Sequence, residues 1–210
     1  MDSTPRITAL EHDSRRPSTV RLEIDGARFG VVPRELVGTE GLAVGRPVDA
    51  ELLERLSAAA DIEAAYRTAL RCLELRSYAR TDLGRRLQRK GHPRPAVQVA
   101  LERTAALGLL DDEAYARSYV QTRAARGRGP SRLTRDLLAM GVQRSLIDRA
   151  LAAEWPEGSD RTSMPRELAT KRAAQLGPLP RQTRRRRVLA YLARRGFTGR
   201  EVTEIVERAL

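Results

Sequence analysis

Asp111-Asp112-Glu113 is the one run of three acidic residues in the chain. Clustered carboxylates of this kind can hold a divalent cation for nuclease chemistry. Here they stand directly before an apolar, helix-periodic segment. At a helix start, carboxylates accept from exposed N–H groups and complement the dipole. Successive residues on a helix also point in different directions, so three in a row cannot converge on one ion. Caps are therefore the expectation, not a metal site. His12 and His92 lie far apart, and Cys72 has no CxxC partner. Cys72 falls in the pattern Ala65, Ala69, Cys72, Leu73 and reads as core, with a reactive thiol as the alternative. Gly127-Arg128-Gly129-Pro130 lacks the Lys-Ser/Thr of a phosphate-binding loop. It reads as punctuation between helices, with Ser131 as the next cap. No catalytic residue, cofactor or metal is expected, so the chain is read as a non-enzyme.

Arginine is the residue type with more to do. The formal net charge is +12, and Lys90 and Lys171 are the only lysines. So basic a chain favours polyanionic partners, because each neutralised phosphate releases condensed counterions. Arginine adds planar, bidentate phosphate contacts that lysine cannot make. Three patches stand out. The first is Arg85, Arg86, Arg89 and Lys90. The second is Arg123, Arg126, Arg128, Arg132 and Arg135. The third is Arg181 with Arg184, Arg185, Arg186 and Arg187. Aromatics are 4% of the chain and rarely interleave with these patches, so phosphate contact fits better than base stacking. Solvated helix faces are the plainer reading of any single patch.

The elements that carry these residues repeat. Gly91, Gly141 and Gly196 anchor one pattern. Leu83, Leu133 and Val188 stand eight residues before them, and Leu87, Leu137 and Leu192 four before. Val97, Ile147 and Val202 follow six after, with Ala100, Ala150 and Ile205 nine after. Apolar residues four apart make one helix face, the glycine ends that helix, and the later set is the stripe of a second helix. Further helical patterns at 63–76, 112–126 and 166–176 supply a third helix to each unit. Glu154 to Pro165 reads as a linker that lets the third unit move. Ahead of the repeats, Val20, Leu22 and Ile24 alternate with polar residues, and Asp25-Gly26 predicts a hairpin turn.

The expected fold is mainly α: three tandem three-helix modules in an elongated curved body, preceded by a small N-terminal β-hairpin region. The expected boundaries are 1–47 for the extension, 48–107 for a linker helix and first module, 108–153 for the second module, 154–164 for the linker and 165–210 for the third module.

Gly108-Leu109-Leu110-Asp111-Asp112-Glu113-Ala114-Tyr115-Ala116 resembles the signature of the RecX family. The likeness continues through Tyr119, Arg123, Gly127 and Leu137-x-x-x-Gly141. It extends to Leu83-x-x-x-Leu87-x-x-Lys90-Gly91 upstream and Leu192-x-x-Arg195-Gly196-Phe197 downstream. The resemblance implies a RecA regulator, mostly negative. It implies binding in the groove of the RecA–DNA filament, with effects on recombination, ATP turnover and SOS repressor co-cleavage, and no catalysis. The expected partners are the RecA filament and single- and double-stranded DNA. A cytoplasmic, soluble monomer without membrane contact is expected. A direct duplex-binding factor of helix-turn-helix type is the main alternative.

Overall fold

The computed structural model describes residues 4–12 and 16–210; residues 1–3 and 13–15 of the expected extension lie outside them. The chain divides into two compact units. The first holds the residues up to Ser77 together with Leu83–Leu110; the second holds Tyr78–Asp82 and Asp111–Leu210.

In the first unit, β1 (Ile7–His12), β2 (Thr19–Ile24) and β3 (Ala27–Pro33) form an antiparallel sheet in that order. Asp25 and Gly26 take φ of 49° and 75°, as the hairpin signal required. The inner face of the sheet buries Ile7, Leu22 and Val32 against Leu42, Val48, Leu52 and Leu56. A short helix α1 (Arg34–Thr39) follows Pro33. It includes Gly38.

Helix α2 (Ala50–Leu75) is one continuous element of 26 residues, where a separate helix over 63–76 was expected. Asp49 caps it, accepting from the Leu52 N–H at 2.8 Å. Its first half buries Leu52 and Leu56 in the sheet core, and its second half packs Ala65 against Ala96 and Ala100. Those alanines belong to α4 (Arg94–Ala106), which α3 (Arg80–Arg89) precedes. One amphipathic surface thus serves two partners in succession, so nothing breaks the helix between them. Glu63 is buried on this helix. Its carboxylate accepts from Arg103 at 2.5 Å, and that guanidinium lies 4.0 Å above the Tyr66 ring. Cys72 is buried here, as its place in the apolar pattern predicts.

The second unit contains α5 (Asp112–Ala124), α6 (Pro130–Ala139), α7 (Arg144–Glu154), α8 (Ser163–Gln175), α9 (Arg181–Arg195) and α10 (Arg200–Arg208). The repeat pattern is the core pattern. Leu133, Leu137 and Ile147 are completely buried in one cluster, Val188, Leu192 and Val206 in the next. Gly141 and Gly196 take φ of 81° and 94°, the left-handed values that end α6 and α9.

Residues 155–162 carry no helix, as expected of a linker, yet they are held in place. Trp155 packs against the core of α5 to α7, and its carbonyl accepts from Arg161 at 2.7 Å. Asp160 accepts from the Thr162 N–H and hydroxyl, both at 2.7 Å, which holds its carboxyl below the usual range. The helices on either side also touch directly. The Gly129 N–H donates to the Arg195 carbonyl at 2.7 Å, and the Ser131 N–H to the Gly196 carbonyl at 3.3 Å. The end of α9 therefore abuts the start of α6, backbone on backbone.

Candidate nucleic-acid interface

Helix α5 ends where Gly127 takes φ of 74°, turning the chain so that Arg128 follows at once. Helix α9 ends at Arg195 with Gly196 in the left-handed region. These two helix ends meet. Arg123, Arg126 and Arg128 from the first line one hollow with Tyr191, Arg194 and Arg195 from the second. The hollow is open and about 380 Å³, and no acidic side chain lines it.

Arg195 has a structural duty within the hollow. Its Nη1 donates to the carbonyls of Arg126 and Gly127, both at 3.3 Å, and its guanidinium lies 4.9 Å above the Tyr191 ring. The φ of 74° at Gly127 favours glycine whatever the space around it. Arg123, Arg126, Arg128 and Arg194 enter no ion pair among the described residues. Arg123 lies 5.4 Å from the Tyr119 ring. Burial pushes the Tyr119 hydroxyl up, the charge of Asp136 adds to this, and Arg123 opposes it.

The second sequence patch therefore splits. Arg123, Arg126 and Arg128 converge. Arg132 is engaged within its own helix by Asp136 at 2.8 Å, and Arg135 is exposed outside the hollow. The third patch is elsewhere in the unit. Arg185 and Arg186 line a separate hollow with Gln182, Thr183 and Leu189; Arg185 also pairs with Glu207, as Arg181 does at 3.5 Å. Arg187 is exposed and Arg184 half-buried. In the first unit Arg85, Arg89 and Lys90 are exposed on and just beyond α3, and Arg86 is half-buried. Tyr191, Arg194 and Arg195 were missed as site residues. The repeat register held a clue: Arg195 precedes Gly196 as Lys90 precedes Gly91.

The acidic triplet acts in three directions. Asp111 caps α5, accepting from the N–H groups of Glu113 and Ala114 at 2.8 and 2.9 Å. Asp112 does not cap its own helix. It accepts from the Arg80 N–H at 2.7 Å and so caps the start of α3. Glu113 pairs with Arg149 at 3.3 Å. Close by, the Thr81 hydroxyl reaches the Gly141 carbonyl at 3.4 Å. Gly108 takes φ of 69° ahead of the triplet, and Tyr115 stacks on Tyr119 at 6.1 Å. Gly91 ends α3 with φ of 91°. No helix among the described residues is long and apolar enough to cross a membrane.

Glycine-punctuated three-helix modules in tandem, with arginines gathered where two modules of the second unit meet, define a helical-repeat protein. Two family patterns match within it: "RecX, second three-helix domain" over residues 111–151 and "RecX, third three-helix domain" over residues 166–206. The regulatory protein RecX of Halorhodospira halophila is 36% identical over 148 residues, which cover 69% of this chain and 88% of the relative. That of Xanthomonas campestris pv. campestris strain B100 is 35% identical, covering 64% of this chain and 80% of the relative. A crystal structure of regulatory protein RecX superposes with a TM-score of 0.74 at 25% identity, covering 97% of this chain and 99% of that one. The chain belongs to the RecX family.

Proposed function

We propose that the chain is a non-catalytic, mostly negative regulator of RecA that binds the groove of the RecA–DNA filament through its basic surfaces. One observation carries the reading: the kinship with regulatory protein RecX runs along most of the length of both chains. The arginine hollow supports it, since a surface for a nucleoprotein filament needs cations not already neutralised by the protein's own carboxylates. The helix-turn-helix alternative gains nothing from the structure. The first-turn arginines of α7 and α10 are engaged by their own helices, Arg144 with Asp148 at 2.9 Å and Arg200 with Glu204 at 3.2 Å.

The test is hydrolysis of ATP by RecA on single-stranded DNA, measured against increasing concentrations of the chain. Progressive inhibition at protein levels well below those of RecA is expected. Unchanged hydrolysis, together with no co-sedimentation with filaments, removes RecA as the partner.

A further inference from the structure

We infer that the hollow formed by the ends of α5 and α9 holds neighbouring phosphates of a sugar–phosphate backbone without touching bases, and that its occupation tightens the contact between the two helix ends. The identity of the strand rests on the filament reading; the phosphate chemistry does not.

Four observations converge. Five guanidinium groups line the hollow and no carboxylate among the described residues does, so the hollow carries like charge that an anion would relieve. The groups are arginines, whose forked donors match phosphate oxygens two at a time. They come from two modules, so a ligand spanning them must present more than one anionic group. The rings nearby offer no platform for bases. Tyr191 has Arg195 and Arg172 at 4.9 and 5.6 Å, and Tyr119 has Arg123 at 5.4 Å and Tyr115 at 6.1 Å. Base recognition by stacking needs an open ring face.

Arg195 makes the coupling. The guanidinium that would meet the anion is the one bonded to the Arg126 and Gly127 carbonyls. Its own carbonyl accepts from Gly129. An anion that orders Arg195 therefore orders the seam. Hydrogen exchange at the Gly129 and Ser131 amides reports on it, because those amides donate across the seam.

The experiment uses the full-length chain without RecA. Affinities are measured over a salt series for a labelled 12-nucleotide single strand and for an abasic strand of the same length. Inorganic tripolyphosphate serves as competitor. The triple variant Arg126→Ala/Arg128→Ala/Arg194→Ala is compared with Arg117→Ala/Arg144→Ala/Arg200→Ala, which removes the same charge from residues paired within their own helices. Circular dichroism checks folding, and the Arg→Gln versions of the same triples repeat the measurement.

The abasic strand should bind within about threefold of the base-bearing one, since even one stacked base would cost more than that. The hollow variant should lower the slope of log affinity against log salt by about 2, three contacts at about 0.7 each for a single strand. The control triple should change it far less. Strand binding should slow exchange at Gly129 and Ser131 in the parent chain and not in the hollow variant. Equal loss in the two triples would mean net charge rather than a site, and would overturn the proposal. A strong preference for the base-bearing strand would overturn the backbone reading. Tripolyphosphate binding as tightly as the strand would assign the hollow to free polyphosphate instead. Unchanged strand binding by the hollow variant defeats the proposal whatever happens with RecA. Lost strand binding with inhibition of RecA intact supports it while detaching it from the filament reading.

Discussion

Two seams in the second unit are built on the same plan from different materials. In each, a glycine turn ending one helix rests on the start of a helix from the preceding repeat. At the first seam the Gly141 turn meets Thr81, and the contacts are side-chain contacts: the Thr81 hydroxyl on the Gly141 carbonyl and Asp112 on the Arg80 N–H. At the second seam the Gly196 turn meets Gly129 to Arg132, and main chain bonds main chain, with the Arg195 guanidinium and a Ser131–Thr198 hydroxyl contact beside it. The difference teaches where each seam is vulnerable. A side-chain seam depends on residue identity and can adjust by moving an end group. A backbone seam tolerates no added Cβ at its glycines, because most of the atoms that Cβ would meet are main-chain atoms that cannot swing away.

The largest expected effect comes from Gly129→Ala. Gly129 has φ of −85°, which alanine adopts readily, so the change tests contact alone. A Cβ there would stand 2.5 Å from the Gly196 carbonyl oxygen. A loss of about 2–4 kcal/mol is expected in denaturant unfolding, by analogy with overpacked cores. The reference is Gly158→Ala, where φ is 82° but nothing lies within 4 Å; strain alone should cost about 1 kcal/mol. Similar losses at the two glycines would mean that the backbone seam adds nothing.

Next in size is a rescue. Gly141→Ala drives a Cβ into the Thr81 side chain, whereas Gly196→Ala drives one into the Arg132 backbone nitrogen and the Gly129 carbonyl as well as the Arg132 Cβ. Thr81→Gly should therefore recover about 1 kcal/mol of the Gly141→Ala loss in a double-mutant cycle. Arg132→Gly should recover much less of the Gly196→Ala loss, because the clashes with the Arg132 nitrogen and the Gly129 carbonyl remain. Equal rescue at both seams, or rescue at neither, would erase the distinction between them.

Asp112→Ala should cost about 1 kcal/mol through the lost cap on α3. Amide exchange would locate the damage: faster at Arg80, unchanged at Glu113 and Ala114. Asp111→Ala should show the reverse. The smallest effect belongs to Thr81→Ala, below about 0.5 kcal/mol, because a 3.4 Å hydroxyl contact is a weak bond. A larger loss would mean that Thr81 holds the first seam by packing.

How much of this could be read from the sequence follows the range of each interaction. The repeat was legible because Leu83, Leu133 and Val188 recur at a fixed distance from glycines, and burial follows that periodicity directly. The hairpin was legible because Asp25-Gly26 is a local signal. Asp112 was misread because its partner, Arg80, lies 32 positions back, and a cap from another repeat looks in sequence like a cap on its own helix. The hollow was half legible. Charge runs revealed Arg123, Arg126 and Arg128, but nothing local says that the end of α9 meets them. Only the seam brings Arg194 and Arg195 there.

A head-to-tail contact has no built-in stop. The patch that receives a glycine turn differs from the turn it receives, so a chain of such contacts could be extended by another molecule as well as by another repeat. At the Gly91 turn a Cβ would meet nothing within 4 Å. Arg89 and Lys90 flank that turn, and Arg186 and Arg187 stand exposed toward the start of α9. Two copies brought together turn to helix would press these cations against one another, and like charges juxtaposed at an interface cost several kcal/mol. Electrostatic repulsion would then oppose such a contact.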